Sequence, residues 1–217
     1  MTSMTMAGEP TSDQGRTARK RRAILDAATE SFLQHGYLGA NMDEIAARSS
    51  VSKQTVYKQF GSKEALFVEI VTSMSNVAGD LVVDEIPEPV ANDDVAAYLL
   101  DYAYRQLSVV VTPRLMQLRR LVIGEVSRFP ELAQVLYERG PARAMAELAG
   151  LFTRLADFGL LQIDDPQAAA SHFNWLVMAE PLNRAMLLGD QAIPTDAELR
   201  RHAAVGVRVF LAAYGKH

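Results

Sequence analysis

Between Asn41 and Ser62 the chain is cut into helix-sized pieces too short to stand alone, and this constrains its fold more than any other feature. Asn41 suits an N-cap, and Asp43 and Glu44 follow it in the first turn, where a helix dipole favours negative charge. A helix from Met42 to Ser49 is expected. Ser52 caps a second, Lys53 to Phe60, ended by Gly61; Ser62 caps a third that starts at Lys63 and reaches about Gly79. Helices of ~8 residues are marginal by themselves. The first two must pack on something, and Ile45, Ala46, Val51, Val56 and Phe60 supply the face to bury. The partner comes before them. Ile24, Ala28 and Phe32 recur every four residues, so Thr17 to His35 reads as an amphipathic helix stopped by Gly36. Three helices joined by the tight turn "SSVS" make a helix-turn-helix.

The rest of the chain carries the same helical punctuation and almost no strand-like alternation. "LVVDEIPEPVAND" (81–93) breaks the pattern and reads as a linker. Beyond it, Pro113, Pro141 and Pro166 each sit where a first helical residue would, and Pro130 does the same. "TDAE" at 195–198 is a capping box. Helices are expected near 92–110, 113–128, 131–139, 142–158, 166–188 and 196–215, with a kink at Pro181. The fold class is all-α: an N-terminal three-helix DNA-binding unit plus a larger helical domain, about nine to ten helices. The expected boundaries are a disordered tail over 1–15, the helix-turn-helix unit over 16–67, a connecting helix over 63–79, and the larger domain over 80–217.

Composition narrows the function classes. The 217 residues are 49% hydrophobic and 22% charged, as in ordinary globular proteins, and include no cysteine, which excludes disulfides and thiolate metal sites. The four histidines (35, 172, 202 and 217) show no ligand spacing, so neither metal nor cofactor is expected. The first fifteen residues lack the apolar stretch of a signal peptide, and no uncharged apolar run approaches the ~18 residues of a membrane span. The net charge of -4 hides a split. Residues 1–67 hold nine Lys/Arg against seven Asp/Glu, whereas 68–217 hold thirteen against nineteen. Five of the seven residues from Arg16 to Arg22 are basic. An acidic body with a basic end points to a polyanionic partner at that end.

The second short helix leaves Lys53, Gln54, Thr55, Tyr57, Lys58 and Gln59 on or near its exposed side. Those types suit a major groove. Gln pairs bidentately with adenine, Lys meets guanine or phosphate, and Thr and Tyr bond phosphates or meet a thymine methyl. Lys63 opens the next helix, where its charge and the free N–H groups both favour a phosphate. Arg19 and Arg22 are the candidates within the basic run.

"MDEIAARSSVSKQTVYKQFGSKEALF" resembles the DNA-binding signature of the TetR family of bacterial transcriptional regulators. The resemblance implies phosphate-anchoring roles for Thr55, Tyr57 and Lys63, and base or nearby backbone contacts for Lys53, Gln54 and Gln59. Two positions depart from the usual pattern. Ser50 stands where the turn normally has glycine; a left-handed residue there would carry roughly 1–2 kcal/mol of strain. Gln54 stands where a small residue is usual, which singles it out as a contact particular to this chain's operator.

One recognition helix reads only a few base pairs, so two copies on half-sites roughly 34–36 Å apart are needed. Leu199, Ala203, Gly206, Phe210 and Ala213 form an a/d-type stripe on the last helix, and Val205, Val209 and Ala212 line its other side. The family resemblance implies that this region makes a homodimer, and the stripe is the expected contact. "LMQLRRLVIGEVSRFPEL", "YERGPARAMAEL" and "DDPQAAASHFNWLVMAEP" resemble the C-terminal domain of AefR-type members. An effector pocket is implied there, with Tyr102, Met116, Arg119, Phe152, Phe173, Trp175, Met178 and Asn183 as expected lining, and Met186 and His172 nearby. The function expected is a non-enzymatic, cytoplasmic, ligand-responsive regulator, a repressor. It would bind a double-stranded operator as a homodimer, without a membrane, and a small, mostly apolar effector would release it. A helical-bundle enzyme or a helical protein-binding adaptor without DNA binding are the alternatives. The first lacks convergent catalytic groups, and the second would not need Thr55, Tyr57 and Lys63 at this spacing.

Overall fold

The computed structural model describes residues 12–83, 87–91 and 94–216, and the first eleven residues of the expected tail lie outside these. Among the described residues there are ten α-helices: α1 (Ser12–Gly39), α2 (Met42–Arg48), α3 (Lys53–Phe60), α4 (Lys63–Val83), α5 (Val95–Val110), α6 (Pro113–Gly124), α7 (Pro130–Tyr137), α8 (Arg143–Asp157), α9 (Pro166–Leu188) and α10 (Asp196–Tyr214). The chain divides after Ile70 into two units. α1 starts at Ser12, so residues 12–15 are helical and do not belong to a tail. α4 likewise takes the first three residues of the expected linker.

In the first unit the caps work as the residue types require. Asn41 accepts from the Asp43 N–H at 2.8 Å, Ser52 from the Thr55 N–H at 3.1 Å, and Ser62 from the Ala65 N–H at 3.0 Å. Gly36 interrupts α1 with φ 72° and ψ 176°, a backbone that only glycine adopts readily. The chain then returns Tyr37 to the core, where its ring centroid lies 5.2 Å from that of Phe67, and Phe32 lies 4.9 Å from Phe67. Ile24, Ala28, Ile45, Val56 and Leu66 are fully buried around these rings. Arg21 ties the elements together: its guanidinium stands 4.5 Å above the Phe60 ring and pairs with Glu69 on α4. By length and composition Lys63–Val82 could cross a membrane, at mean hydropathy 1.3. Its first turns are core, however, with Leu66, Phe67 and Ile70 buried.

The second unit is built around aromatic rings. Phe152 of α8 stacks on Phe210 of α10 at 5.0 Å, and Phe173 of α9 meets both edge-on at 5.5 and 5.1 Å. Leu99, Leu107, Leu148, Leu155, Val177 and Ala203 complete the core. An antiparallel bridge, Leu161–Gly215, pins the loop before α9 to the end of α10. Pro141 does not open a helix as its position suggests. It lies inside a π-helical turn, Glu138–Ala142, that joins α7 to α8. Such turns absorb an extra residue without breaking the helix, which is how an internal proline is tolerated here.

Pro181 is also internal, and α9 runs through it as one helix. Proline has no N–H, so the carbonyl four residues earlier, that of the fully buried Val177, loses its helical donor. His202 on α10 supplies the replacement: its Nε2 donates to the Val177 oxygen at 2.9 Å. His202→Phe should therefore cost about 1–3 kcal/mol, the usual penalty for a buried unpaired carbonyl. In a Pro181→Ala background, where the N–H is restored, thermal melts should show a clearly smaller cost; equal costs in both backgrounds would refute the pairing.

Candidate functional site

α3 is held by its buried residues Val56 and Phe60, and this fixes which side chains it offers to solvent. Gln54, Tyr57 and Lys58 are exposed, Tyr57 by 41%. Thr55 is half-buried, its hydroxyl 2.8 Å from the Ser52 oxygen at the start of the helix. Lys53 is exposed but engaged, 2.9 Å from Asp43 of α2, whose hydrogen bond and charge raise the Lys53 pKa. Lys63 is partly buried. Its ammonium lies 3.3 Å from the Leu38 carbonyl and 4.9 Å from the Tyr37 ring centroid, so it is presented from a fixed position. Arg22 is exposed; Arg19 is exposed and bonds to the Gly15 carbonyl. Gln59 differs from expectation. It is half-buried with its side-chain oxygen inside the fold, so it does not share the outward face. The same turn that places Val56 inward carries Gln59 with it.

Ser50 has φ 54°, the left-handed conformation considered in the sequence. Ser50→Gly should raise stability by up to about 1 kcal/mol, part of the released strain being offset by the larger freedom of glycine in the unfolded chain. A thermal melt of the variant checks this. Asp43→Asn should free Lys53 for phosphate. The expected outcome, checked by gel shift, is tighter DNA binding at low salt, since the aspartate no longer competes with phosphate for the lysine.

In the second unit a partly open cavity of about 90 Å³ is lined by residues of α4, α5, α6, α7, the π-helical turn, α8 and α9. Of the residues expected to line it, Arg119, Trp175 and Met178 do so. Tyr102, Met116, Phe152 and Phe173 are instead buried in the hydrophobic core, and Asn183 is exposed on α9, bonded to the Ala179 carbonyl. Periodicity identified these residues as buried or apolar but could not distinguish core from cavity wall. Ser75, Gln106 and Asn174 were missed. All three are buried polar residues; Gln106 donates to Asn174 at 3.0 Å, while the Gln106 side-chain oxygen and the Ser75 hydroxyl have no hydrogen-bond partner. A glutamine and an asparagine on otherwise apolar helix faces were the available signal.

The dimer stripe is corrected as well. Leu199, Ala203, Gly206 and Phe210 are buried inside their own subunit, packed in the aromatic core, and Ala213 alone of the five is exposed. The apolar surface lies on the other side of α10, at Val205, Val209 and Ala212, and on α9 at Trp175, Leu176, Leu187 and Leu188. No cluster of three or more His, Asp or Glu residues able to hold a metal occurs among the described residues.

A short helix pair with an outward polar-aromatic face, followed by a helical domain with its own cavity, defines a helix-turn-helix regulator. Residues 24–70 match the family described as bacterial regulatory proteins, tetR family, and residues 97–216 match the AefR-like transcriptional repressor C-terminal domain. The chain belongs to the TetR family, whose members are non-enzymatic transcriptional regulators. A TetR-family regulator from Mesorhizobium loti is 40% identical over 93% of this chain and 99% of its own, with a TM-score of 0.85. The flavonoid-responsive regulator FrrA is 30% identical over 92% and 99%, with a TM-score of 0.74. Among curated relatives, the repressor SCO4008 of Streptomyces coelicolor is 36% identical over 83 residues, 36% of this chain and 40% of that protein. The uncharacterized regulator YhgD of Bacillus subtilis is 46% identical over 55 residues, 25% and 29%. The chain thus spans well under two thirds of the length of these curated relatives.

Proposed function

We propose that this chain is a ligand-responsive repressor that grips a palindromic operator as a homodimer and lets go when a small, mostly apolar effector occupies the cavity of the second unit. The observation that carries this reading is the outward face of α3, where Gln54, Tyr57 and Lys58 stand together while Val56 and Phe60 hold the helix in place. Tyr57, Thr55 and Lys63 act as phosphate anchors. Gln54 reads a base edge, and Lys58 adds charge on the same side. Lys53 joins them when DNA displaces Asp43. The exposed apolar residues of α9 and α10 support dimerisation through that face, in place of the buried stripe. Repressors among the relatives support the direction of control. α4 supports the coupling: it starts at Lys63 and its later turns, at Ser75, Ala78, Gly79 and Val82, wall the cavity. A coupling of about 1–3 kcal/mol would change operator affinity by ~5–150-fold.

Footprinting and gel shifts on the promoter neighbouring its gene, over a salt series, test the reading. Tyr57→Phe and Lys58→Ala should weaken binding to every sequence, and Lys58→Ala should reduce the salt slope by about one. Gln54→Ala should cost about 1–3 kcal/mol on the operator and relax preference at one base pair. Uniform loss in the Gln54 variant would remove its reading role, and absence of any footprint at low salt would remove the proposal.

A further inference from the structure

A charge with no partner among the described residues lines the cavity. Arg119 of α6 lines it, with Nη2 3.9 Å from where a Cβ on Gly140 would stand. Burial lowers the pKa of its guanidinium, and among the described residues no carboxylate or carbonyl pairs with it. The one carboxylate in the lining, that of Glu147, is already taken. Arg143 binds Glu147 at 2.7 Å and Asp80 at 2.8 Å, and Gly79 leaves room for it, since a Cβ there would stand 2.9 Å from an Arg143 nitrogen. The remaining wall is mainly apolar, from Val110, Leu118, Leu136, Met178 and Leu182. Two further polar atoms, the Ser75 hydroxyl and the Gln106 side-chain oxygen, are buried without partners in residues that line the same cavity. A partly buried cation facing a largely apolar hollow is better satisfied with an anion beside it.

Resting on the effector reading above, we infer that the ligand of this cavity is an organic anion: a small carboxylate with an apolar body, whose charge is met by Arg119 and whose body lies against the aliphatic wall. An inorganic anion would satisfy the guanidinium and leave the aliphatic wall unfilled. An uncharged hydrophobe would do the reverse. The Ser75 hydroxyl donates to a carboxylate oxygen, and the Gln106 oxygen accepts from a hydroxyl where the ligand has one.

The test uses full-length protein and two matched pairs of probes, octanoate with octanamide and benzoate with benzamide. Trp175 lines the cavity but is about half exposed, on the face read above as the dimer contact, so occupancy is measured by isothermal titration calorimetry instead of by its emission. The wild-type protein should bind each acid about 10- to 100-fold tighter than its amide, the range expected for a hydrogen bond to a charged group. Arg119→Gln should remove that preference, and Arg119→Lys should keep part of it. If the amides bind wild-type protein as tightly as the acids, the anion inference fails while the pocket reading stands, and this comparison does not depend on any variant folding. If Arg119→Gln folds and keeps the preference, Arg119 is not the anion partner and the inference fails too. If no probe binds up to millimolar concentration, both the inference and the assignment of this cavity as the effector site are overturned.

Discussion

The burial of Val56 and Phe60 fixes everything α3 can do. A helix of eight residues gains too little from its own hydrogen bonds to persist, so tertiary contact sets both its existence and its orientation. Phe60 is held from one side by the Arg21 guanidinium, and Arg21 is itself anchored by Glu69. Phe32, Tyr37 and Phe67 form the aromatic floor of the same unit. A residue such as Gln54 can discriminate between bases only if its backbone is rigidly placed; a helix free to rock would average over neighbouring base pairs. The core of the first unit is thus the condition for the proposed readout.

Electrostatics on this unit are less simple than its basic end suggests. Of the cations near α3, Lys53 is paired with Asp43, Arg21 with Glu69, and Lys63 rests on Tyr37 and the Leu38 carbonyl. Lys58 and Arg22 are exposed. Exposed ion pairs such as Lys53–Asp43 are worth little in water. A phosphate can replace the aspartate at small cost, and the pair pre-positions the lysine without committing it.

Much of the architecture was legible because helix ends are written in local chemistry. Asn41, Ser52 and Ser62 cap as their side chains require, Gly61 closes α3, and Thr195 with Glu198 forms the reciprocal box that "TDAE" encodes. Two readings differ from the structure for a common reason: periodicity says that a face is buried, not what buries it. The Leu199–Phe210 stripe is buried within the chain, with Phe210 against Phe152 and Phe173 and Gly206 beside Val177, and the face left over is the less regular one at Val205 and Val209. Phe152 and Phe173 are core residues, not cavity lining, because their rings satisfy one another. Gln59 shares the polar composition of its neighbours but not their exposure. Pro141 misled because a proline at the start of a helix and one inside a π-helical turn look alike in sequence.

The size of the cavity bears on how the proposed control would work. About 90 Å³ is small beside the ~300–1,000 Å³ of pockets that enclose drug-sized ligands. Full enclosure of a larger ligand needs a wall to move, and the walls differ in what they can yield. α9 is locked into the aromatic core through Phe173 and to α10 through the Val177–His202 bond, so it resists displacement. The wall made by α4 is built from Ser75, Ala78, Gly79 and Val82, three of them small, and is held there by the exposed pair Asp80–Arg143. The π-helical turn with Gly140 and Pro141 is another part of the lining, a segment whose hydrogen bonding is already irregular. An effector changes operator affinity only if it binds the two states unequally, since equal affinity shifts nothing. A cavity too small for its ligand in one state is a direct way to make that difference. The same displacement falls on the helix that begins at Lys63, so under the proposed mechanism the energy gained by filling the cavity would be spent on moving an anchor of the DNA-binding unit.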